Sequence, residues 1–306
     1  MLSSVQLNEH SYWVSVFEPL PNEQQELFER YEVTSDMLDY AIDPFEKARI
    51  EIDHDAHITL LIFDVYIAHP EEDDDVTAPI GIMLTNNNVL TFTNAQTNFV
   101  NGIIAQLIKN ERAHHPIHSI YDVVLPLLYQ LSTDYFLPIR KADNQRKALQ
   151  KNIRKRNERV SINKFMELET NLVYILSSIQ GNVSLLQEFK RRFLYTLTTS
   201  QQNKLDDAII EAQQGLEMAQ MTSDVVSRVS SAYSNVLDSN LNQTMKFLTV
   251  YSIILAIPPI VSGFYGENVK SLPFAQNDWA WQITVIITLI FIALSIWFMF
   301  NKRWWK

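Results

Sequence analysis

Two stretches without a single charge lie near the end of the chain: Phe247 to Gly266, 20 residues, and Trp279 to Asn301, 23 residues. About 20 consecutive apolar residues, wound as a helix, cross the hydrocarbon of a bilayer. Both stretches meet that length, which predicts two membrane-spanning helices over about 245–266 and 280–300. A buried core helix is the competing reading, and the length and lack of charge count against it. The first run, FLTVYSIILAIPPIVSGFY, contains Ser252, Ser262 and the pair Pro258 and Pro259. Proline in a membrane helix is tolerated where neighbours satisfy the freed carbonyls, so this helix is expected to pack in a bundle. The second run, WAWQITVIITLIFIALSIWFMF, has no Gly or Pro and fits a helix facing lipid.

Five of the six Trp flank or lie in the second run: Trp279, Trp281, Trp297, Trp304 and Trp305. The flanking ones read as interfacial belts, and Lys302, Arg303 and Lys306 place that end of the chain in the cytoplasm. Two spans put the N-terminal part on the same side, in a cell membrane (inner or plasma). The N-terminus, MLSSVQLNEHSYW, has no basic segment leading into an apolar one and is not read as a signal peptide. Only the short link from Tyr265 to Trp279 faces outward. A secondary transporter built on inverted repeats is excluded by this layout. Two helices cannot enclose a polar path alone, so a chain of this kind that moves a solute must oligomerise around an axis.

Composition sharpens the division. The chain has 306 residues, 47% of them hydrophobic and 20% charged, and no cysteine. That is too apolar for disorder, and it excludes disulfide frameworks, Cys-based zinc sites and thiol nucleophiles. From Met1 to His118 there are 20 acidic and 5 basic residues, a net of -15. From Ser119 to Lys306 there are 15 acidic and 20 basic, a net of +5. No Pro lies between Pro138 and Pro258, and only Gly181 and Gly215 interrupt that interval. Pro costs a helix interior about 3 kcal/mol and Gly about 1, so the interval reads as long helix.

The organisation expected is an α+β membrane protein in three parts: an α/β domain over 1–118, helices over 119–244, and the two spans over 245–306. In the first part Tyr12 to Phe17 and His57 to Ala68 read as strands, and Pro21 to Tyr31 and Thr34 to Tyr40 as helices. Ile80 to Leu84 and Val89 to Thr93 flank Asn86-Asn87-Asn88 as a hairpin. In the second part Tyr121 to Arg159 reads as one long helical stretch. Lys164 to Tyr195 is a second, broken or bent near Gly181. A third runs from Thr199 into the membrane. Residues 200 to 265 as one helix would extend roughly 100 Å at 1.5 Å per residue. A helix that long needs partners, which again implies an oligomer.

Three further patterns carry weaker signals. Glu71, Glu72, Asp73, Asp74 and Asp75 form either a solvated tip or a site attracting hard divalent ions; they lack the Gly and distal Glu of an EF-hand. His54 with His57, and His114 and His115 with His118, have metal-compatible spacings, but no carboxylate or Cys set completes a site. Arg140 to Arg159 holds nine basic residues against Asp143 and Glu158. Without interleaved aromatics or a recognised fold this is a solvated helix face, and no nucleic-acid partner is expected.

The layout resembles the CorA magnesium-channel family over nearly the whole chain. NQTMKFLTVYSIILAIPPIVSGFYGEN (Asn242 to Asn268) is similar to the family's stalk end and first span, which usually closes in Tyr-Gly-Met-Asn. WVSVFEPLPNEQ, IGIMLTNNNVLTF and TDYFLPIRKADNQRKAL also look like family segments. The resemblance implies a funnel-shaped homopentamer in the lipid membrane. Its first span would line the pore, and it would carry Mg2+, with Co2+ and Ni2+ as further substrates.

The end motif has its own physics. Mg2+ gives up its water reluctantly, so a first-contact site should hold the hydrated ion through that water. Five Asn268 amide oxygens at a pore mouth would do so without trapping the ion, and Gly266 would let the backbone turn close to the axis. Taken alone, Gly266-Glu267-Asn268 is equally a turn ending a helix. Glu267 departs from the family's Met. A ring of five carboxylates would concentrate cations and alter selectivity. The ZntB zinc-transporter relatives have an apolar residue there.

Helical spacing traces one candidate pore face through Gly263, Pro259, Ala256, Ser252, Leu248 or Thr249, Met245 and Asn242. Asn242 would form a second polar ring, and Met245 with Leu248 an apolar constriction able to gate by dewetting. The family closes when Mg2+ binds acidic residues between subunits. The matching stalk position falls at Asp206 and Asp207, with Asp73 or Asp74 as the candidate partner; an ordinary solvated Asp pair is the alternative. The readings that follow are a Mg2+ channel, a ZntB-like Zn2+ transporter, or a non-conducting membrane-anchored sensor or scaffold. No phosphate-binding glycine loop or nucleophile motif supports an enzyme.

Overall fold

The computed structural model describes residues 1–68, 70, 75–85, 87–114, 116–153, 158–267, 273–274 and 278–301. Asn268, Asp73, Asp74 and the basic tail from Lys302 lie outside the described residues. The chain divides into two compact units, Met1–Ser230 and Ser231–Lys306.

The first unit is built on a six-stranded sheet. Its strands are β1 (Leu2–Gln6), β2 (Tyr12–Phe17), β3 (Arg49–Asp53), β4 (Ile58–Tyr66), β5 (Thr77–Leu84) and β6 (Val89–Thr93), in the order β1-β2-β6-β5-β4-β3. All neighbours run antiparallel except β2 and β6. Helices α1 (Pro21–Tyr31) and α2 (Ser35–Ile42) follow β2. After β6 come α3 (Phe99–His114), α4 (Tyr121–Thr133), α5 (Phe136–Ile153), α6 (Glu158–Phe193) and α7 (Thr199–Gly266).

The sheet is covered on both faces, and the period of two along β4 shows why. Ile58, Leu60 and Ile62 point to one face, where they meet Leu27 and Tyr31 of α1 and Met37, Leu38 and Ala41 of α2. Leu61, Phe63 and Val65 point to the other, into the core shared with α3, α4, α6 and the start of α7. Burial on both faces calls for a nearly continuous apolar run, and β4 has one, interrupted only by Thr59 and Asp64. Each fully buried Leu, Ile or Phe here contributes roughly 1.5–3 kcal/mol. Trp13 is buried between the layers and its indole N–H donates to Thr91 Oγ1 at 3.1 Å.

Two glycines mark close approaches. A Cβ at Gly81 would lie 2.9 Å from the carbonyl oxygen of Ala41, so α2 sits almost on the backbone of β5. A Cβ at Gly181 would lie 2.9 Å from Ala48 Cβ. Gly181 does not break α6: the helix is continuous over 36 residues, and the glycine makes room for the segment entering β3.

Other differences have local causes. The stretch expected as one helix from Tyr121 to Arg159 is two, separated at Asp134 and Tyr135. The N–H of Asp134 still bonds Gln130, and Tyr135 turns fully into the core. Strands β1 and β3 and helix α3 are additional to the expected elements. The hairpin β5–β6 and helices α1 and α2 fall where the sequence places them.

The second unit holds the C-terminal part of α7 and α8 (Ala280–Asn301). Pro258 and Pro259 lie inside α7. Lacking N–H groups, they leave the carbonyls of Ile254 and Leu255 without their helical donors.

Candidate functional site

Both helices of the second unit have a span-length window of high mean hydropathy, 1.9 in α7 and 2.3 in α8, and each window is only 6% buried. Such a surface cannot face water over its whole length. Phe247, Tyr251, Leu255, Ile260 and Phe264 on α7 are exposed, as are Trp281, Ile286, Leu289 and Trp297 on α8. Lipid or other protein chains must cover them.

The exposure along α7 is not uniform. Lys246, Val250, Ile254, Ile257, Val261 and Tyr265 are the shielded positions, three or four residues apart and therefore on one side of the helix. Asn242, Met245, Leu248, Thr249, Ser252, Ala256, Pro259 and Gly263 are all exposed. At about 100° per residue the two stripes are centred roughly 150° apart. The candidate pore face thus lies nearly opposite the side that the unit itself covers. That is the arrangement required if the face is to meet other copies of α7.

The hydroxyls on this face point their acceptor sides outward. Thr249 Oγ1 donates to Met245 O at 2.8 Å, and Ser252 Oγ donates to Leu248 O at 2.8 Å. With the proton turned back to the helix, the oxygen lone pairs are left facing out. Such oxygens suit a hydrated cation. At the far end, Gly266 and the exposed Glu267 follow a last turn without a basic residue. The negative end of the helix dipole and the carboxylate therefore act together to attract cations.

In the first unit, Asp206 and Asp207 sit near the start of α7. They are not equivalent. Lys190 Nζ of α6 approaches Asp206 Oδ1 at 2.6 Å, whereas Asp207 is exposed with no partner among the described residues. Sequence reading missed Lys190. No spacing could reveal it, because the turn between α6 and α7 brings the two residues together. The histidines of the suggested metal spacings form no metal-binding group of three among the described residues, with or without carboxylates.

Comparison with known proteins decides the family. The model of the CorA-like Mg2+ transporter protein family matches residues 8–303. The chain belongs to that family. A curated relative, the cobalt/magnesium transport protein CorA of Methanocaldococcus jannaschii, is 22% identical over 96% of this chain and 90% of its own length. The complete structure of the CorA magnesium transporter from the same organism covers 96% of this chain and 92% of that one, with a TM-score of 0.79 and 22% identity. The ZntB cytoplasmic domain from Vibrio parahaemolyticus covers 76% of this chain and 91% of that one, with a TM-score of 0.62 and 12% identity. At these identities the structural likeness shows the fold. CorA-like membership with two apolar C-terminal helices makes this a membrane protein of a divalent-cation transport family, not of an enzyme family.

Proposed function

We propose that the chain is a passive divalent-cation channel carrying Mg2+ into the cytoplasm along the axis of a funnel-shaped homopentamer. Co2+ and Ni2+ are further substrates. The observation that carries this reading is the continuous exposed stripe on α7 from Asn242 to Gly263, opposite the shielded side. Five such stripes around an axis make a path whose ends are two amide rings, Asn242 and Asn268. Between them lie the hydroxyls of Thr249 and Ser252 and the apolar pair Met245 and Leu248, which is the gate. Gly266 brings the chain close to the axis at the mouth. Both termini are cytoplasmic, following the basic tail.

Regulation falls to the acidic positions near the start of α7. Internal Mg2+ bound at Asp207, shared with an acid of the Glu71–Asp75 run such as Asp73 or Asp74 of a neighbouring subunit, holds the gate closed. Asp206 contributes less, because Lys190 already occupies its carboxylate.

A ZntB-like Zn2+ transporter is the second reading: the fold of the first unit is shared with the ZntB cytoplasmic domain, and Glu267 departs from the apolar residue of both branches without choosing between them. Carboxylate oxygens bind Zn2+ as well as Mg2+. Uptake of Mg2+, Co2+, Ni2+ and Zn2+ by the protein in liposomes, with and without a pH gradient, tests both. Mg2+ uptake driven by its own gradient supports the channel. Zn2+ uptake that requires the pH gradient supports the second reading. No uptake of any ion leaves a membrane-anchored sensor.

A further inference from the structure

The core between the sheet and helices α3, α4 and α6 is open at one end. Along β4 the side chains of Leu61, Phe63 and Val65 fill that core, and the period of two puts Thr59 next on the same face. There the apolar packing gives way to a cavity of about 370 Å3. Its walls come from the turn before β4, the β5–β6 turn, the residue before β2, the start of α4 and the turn leading from α6 to α7.

Two polar residues of this wall are buried and unpartnered. Ser11 and Thr59 are each 8% exposed, and neither hydroxyl makes a hydrogen bond among the described residues. Neither oxygen is fully enclosed by protein, so both open onto the cavity. A buried hydroxyl without a partner costs about 1–3 kcal/mol, and two of them on one wall mark a place where water or a ligand binds.

His57 and His118 line the same cavity, and neither ring hydrogen-bonds within the described residues. Each is set by its backbone. His57 has a left-handed conformation, φ 53°, just before β4. The N–H groups of His118 and Ser119 both donate to Asp122 Oδ2 at 3.0 Å. The other oxygen of that carboxylate accepts from Gln201 Nε2 at 2.8 Å, and Gln201 lies in the first turn of α7. Asp122 thus ties the backbone that carries His118 to the helix that continues into the first span.

The lining selects the class of ligand. No Asp, Glu, Lys or Arg is among its residues. An anion would find no counter-charge there, and the net charge of -15 over residues 1–118 repels it. The same field draws divalent cations. Imidazole nitrogen suits transition-metal ions such as Ni2+ and Zn2+, whereas Mg2+ prefers oxygen.

We propose that this cavity binds a divalent transition-metal ion, with His57 and His118 as nitrogen ligands. The hydroxyls of Ser11 and Thr59 hydrogen-bond the waters that complete its shell. Two imidazoles leave most of that shell to water, and the cavity has room for it. The site is distinct from Asp207 and from the stripe on α7, and it does not depend on which ion the pore carries. Spacing along the chain pairs His57 with His54, and His118 with His114 and His115. The fold instead brings His57 and His118 to one cavity.

Carbethoxylation of histidines in the full-length protein, quantified residue by residue by mass spectrometry, tests this. Millimolar Mg2+ is kept present to fill carboxylate sites. Ni2+ at about ten times the concentration for half-protection should slow modification of His57 and His118 together by about tenfold. The exposed His54 and His114 should keep their rates. His118→Ala should abolish the protection of His57. His57→Asn, whose side chain tolerates the left-handed backbone, should abolish that of His118. Thr59→Val keeps the shape without the hydroxyl and should raise the Ni2+ concentration needed several-fold. Modification that ignores Ni2+, protection that pairs either histidine with His54 or His114 instead, or protection of each that survives loss of the other would overturn the proposal. An unchanged response in Thr59→Val would remove the hydroxyls from the site. None of these readouts depends on ion transport.

Discussion

Lys190 Nζ lies 2.6 Å from Asp206 Oδ1, and this one ion pair makes two adjacent carboxylates near the start of α7 unequal. Both partners are about 40% exposed, so the pair contributes little to stability, but it lowers the charge that a divalent ion would meet. Lys190→Gln should leave folding unchanged and make the channel more sensitive to internal Mg2+, with half-inhibition at a several-fold lower concentration. Uptake measured against Mg2+ loaded inside liposomes checks this.

Asp207 should behave differently. Asp207→Asn removes the exposed carboxylate and should abolish most of the inhibition by internal Mg2+ while preserving uptake at low internal Mg2+. If flux through this variant responded to internal Mg2+ as the parent does, regulation would have to be assigned elsewhere.

The contact between Gly181 and Ala48 predicts a paired effect on stability. Gly181→Ala improves helix propensity by about 1 kcal/mol, but its methyl group would lie 2.9 Å from Ala48 Cβ. Overpacking of this kind costs about 1–3 kcal/mol, so the net change should be destabilising. Adding Ala48→Gly should recover most of the loss. Thermal unfolding of the two single variants and the double variant measures the coupling.

Strand β4 was legible because burial on both faces leaves nine residues with almost no polar interruption. Strand β3 was not, because RIEID is an edge strand with one partner, and its charged residues fit a loop as well. Gly181 was visible but ambiguous. A helix breaker and a residue making room for Ala48 look the same until the neighbour is in place. The candidate pore stripe was traceable from spacing alone, since 3.6-residue periodicity fixes which side chains share a face. Spacing could not show that this stripe is opposite the shielded side. The pairing of Asn182 with Asp64 spans 118 positions and leaves no local pattern.

Glu267 should influence which ion enters. Its carboxylate adds to the negative end of α7, whose last turn holds no basic residue. Glu267→Met should lower apparent affinity for divalent cations and change the order of preference among Mg2+, Co2+, Ni2+ and Zn2+. Competition uptake assays on the two proteins measure this. Identical affinities and order would remove Glu267 from the selectivity machinery.

The chain's lack of cysteine permits the most direct test of the pore face. Single cysteines at Ser252, on the exposed stripe of α7, and at Ile290, exposed on α8, can be challenged with a water-soluble, membrane-impermeant thiol reagent during Mg2+ uptake. Ser252→Cys should be modified and uptake through it blocked. Ile290→Cys, facing lipid, should be neither modified nor blocked. Uptake through Ser252→Cys that is untouched by the reagent, together with block at Ile290→Cys, would contradict the assignment of this face of α7 to the ion path.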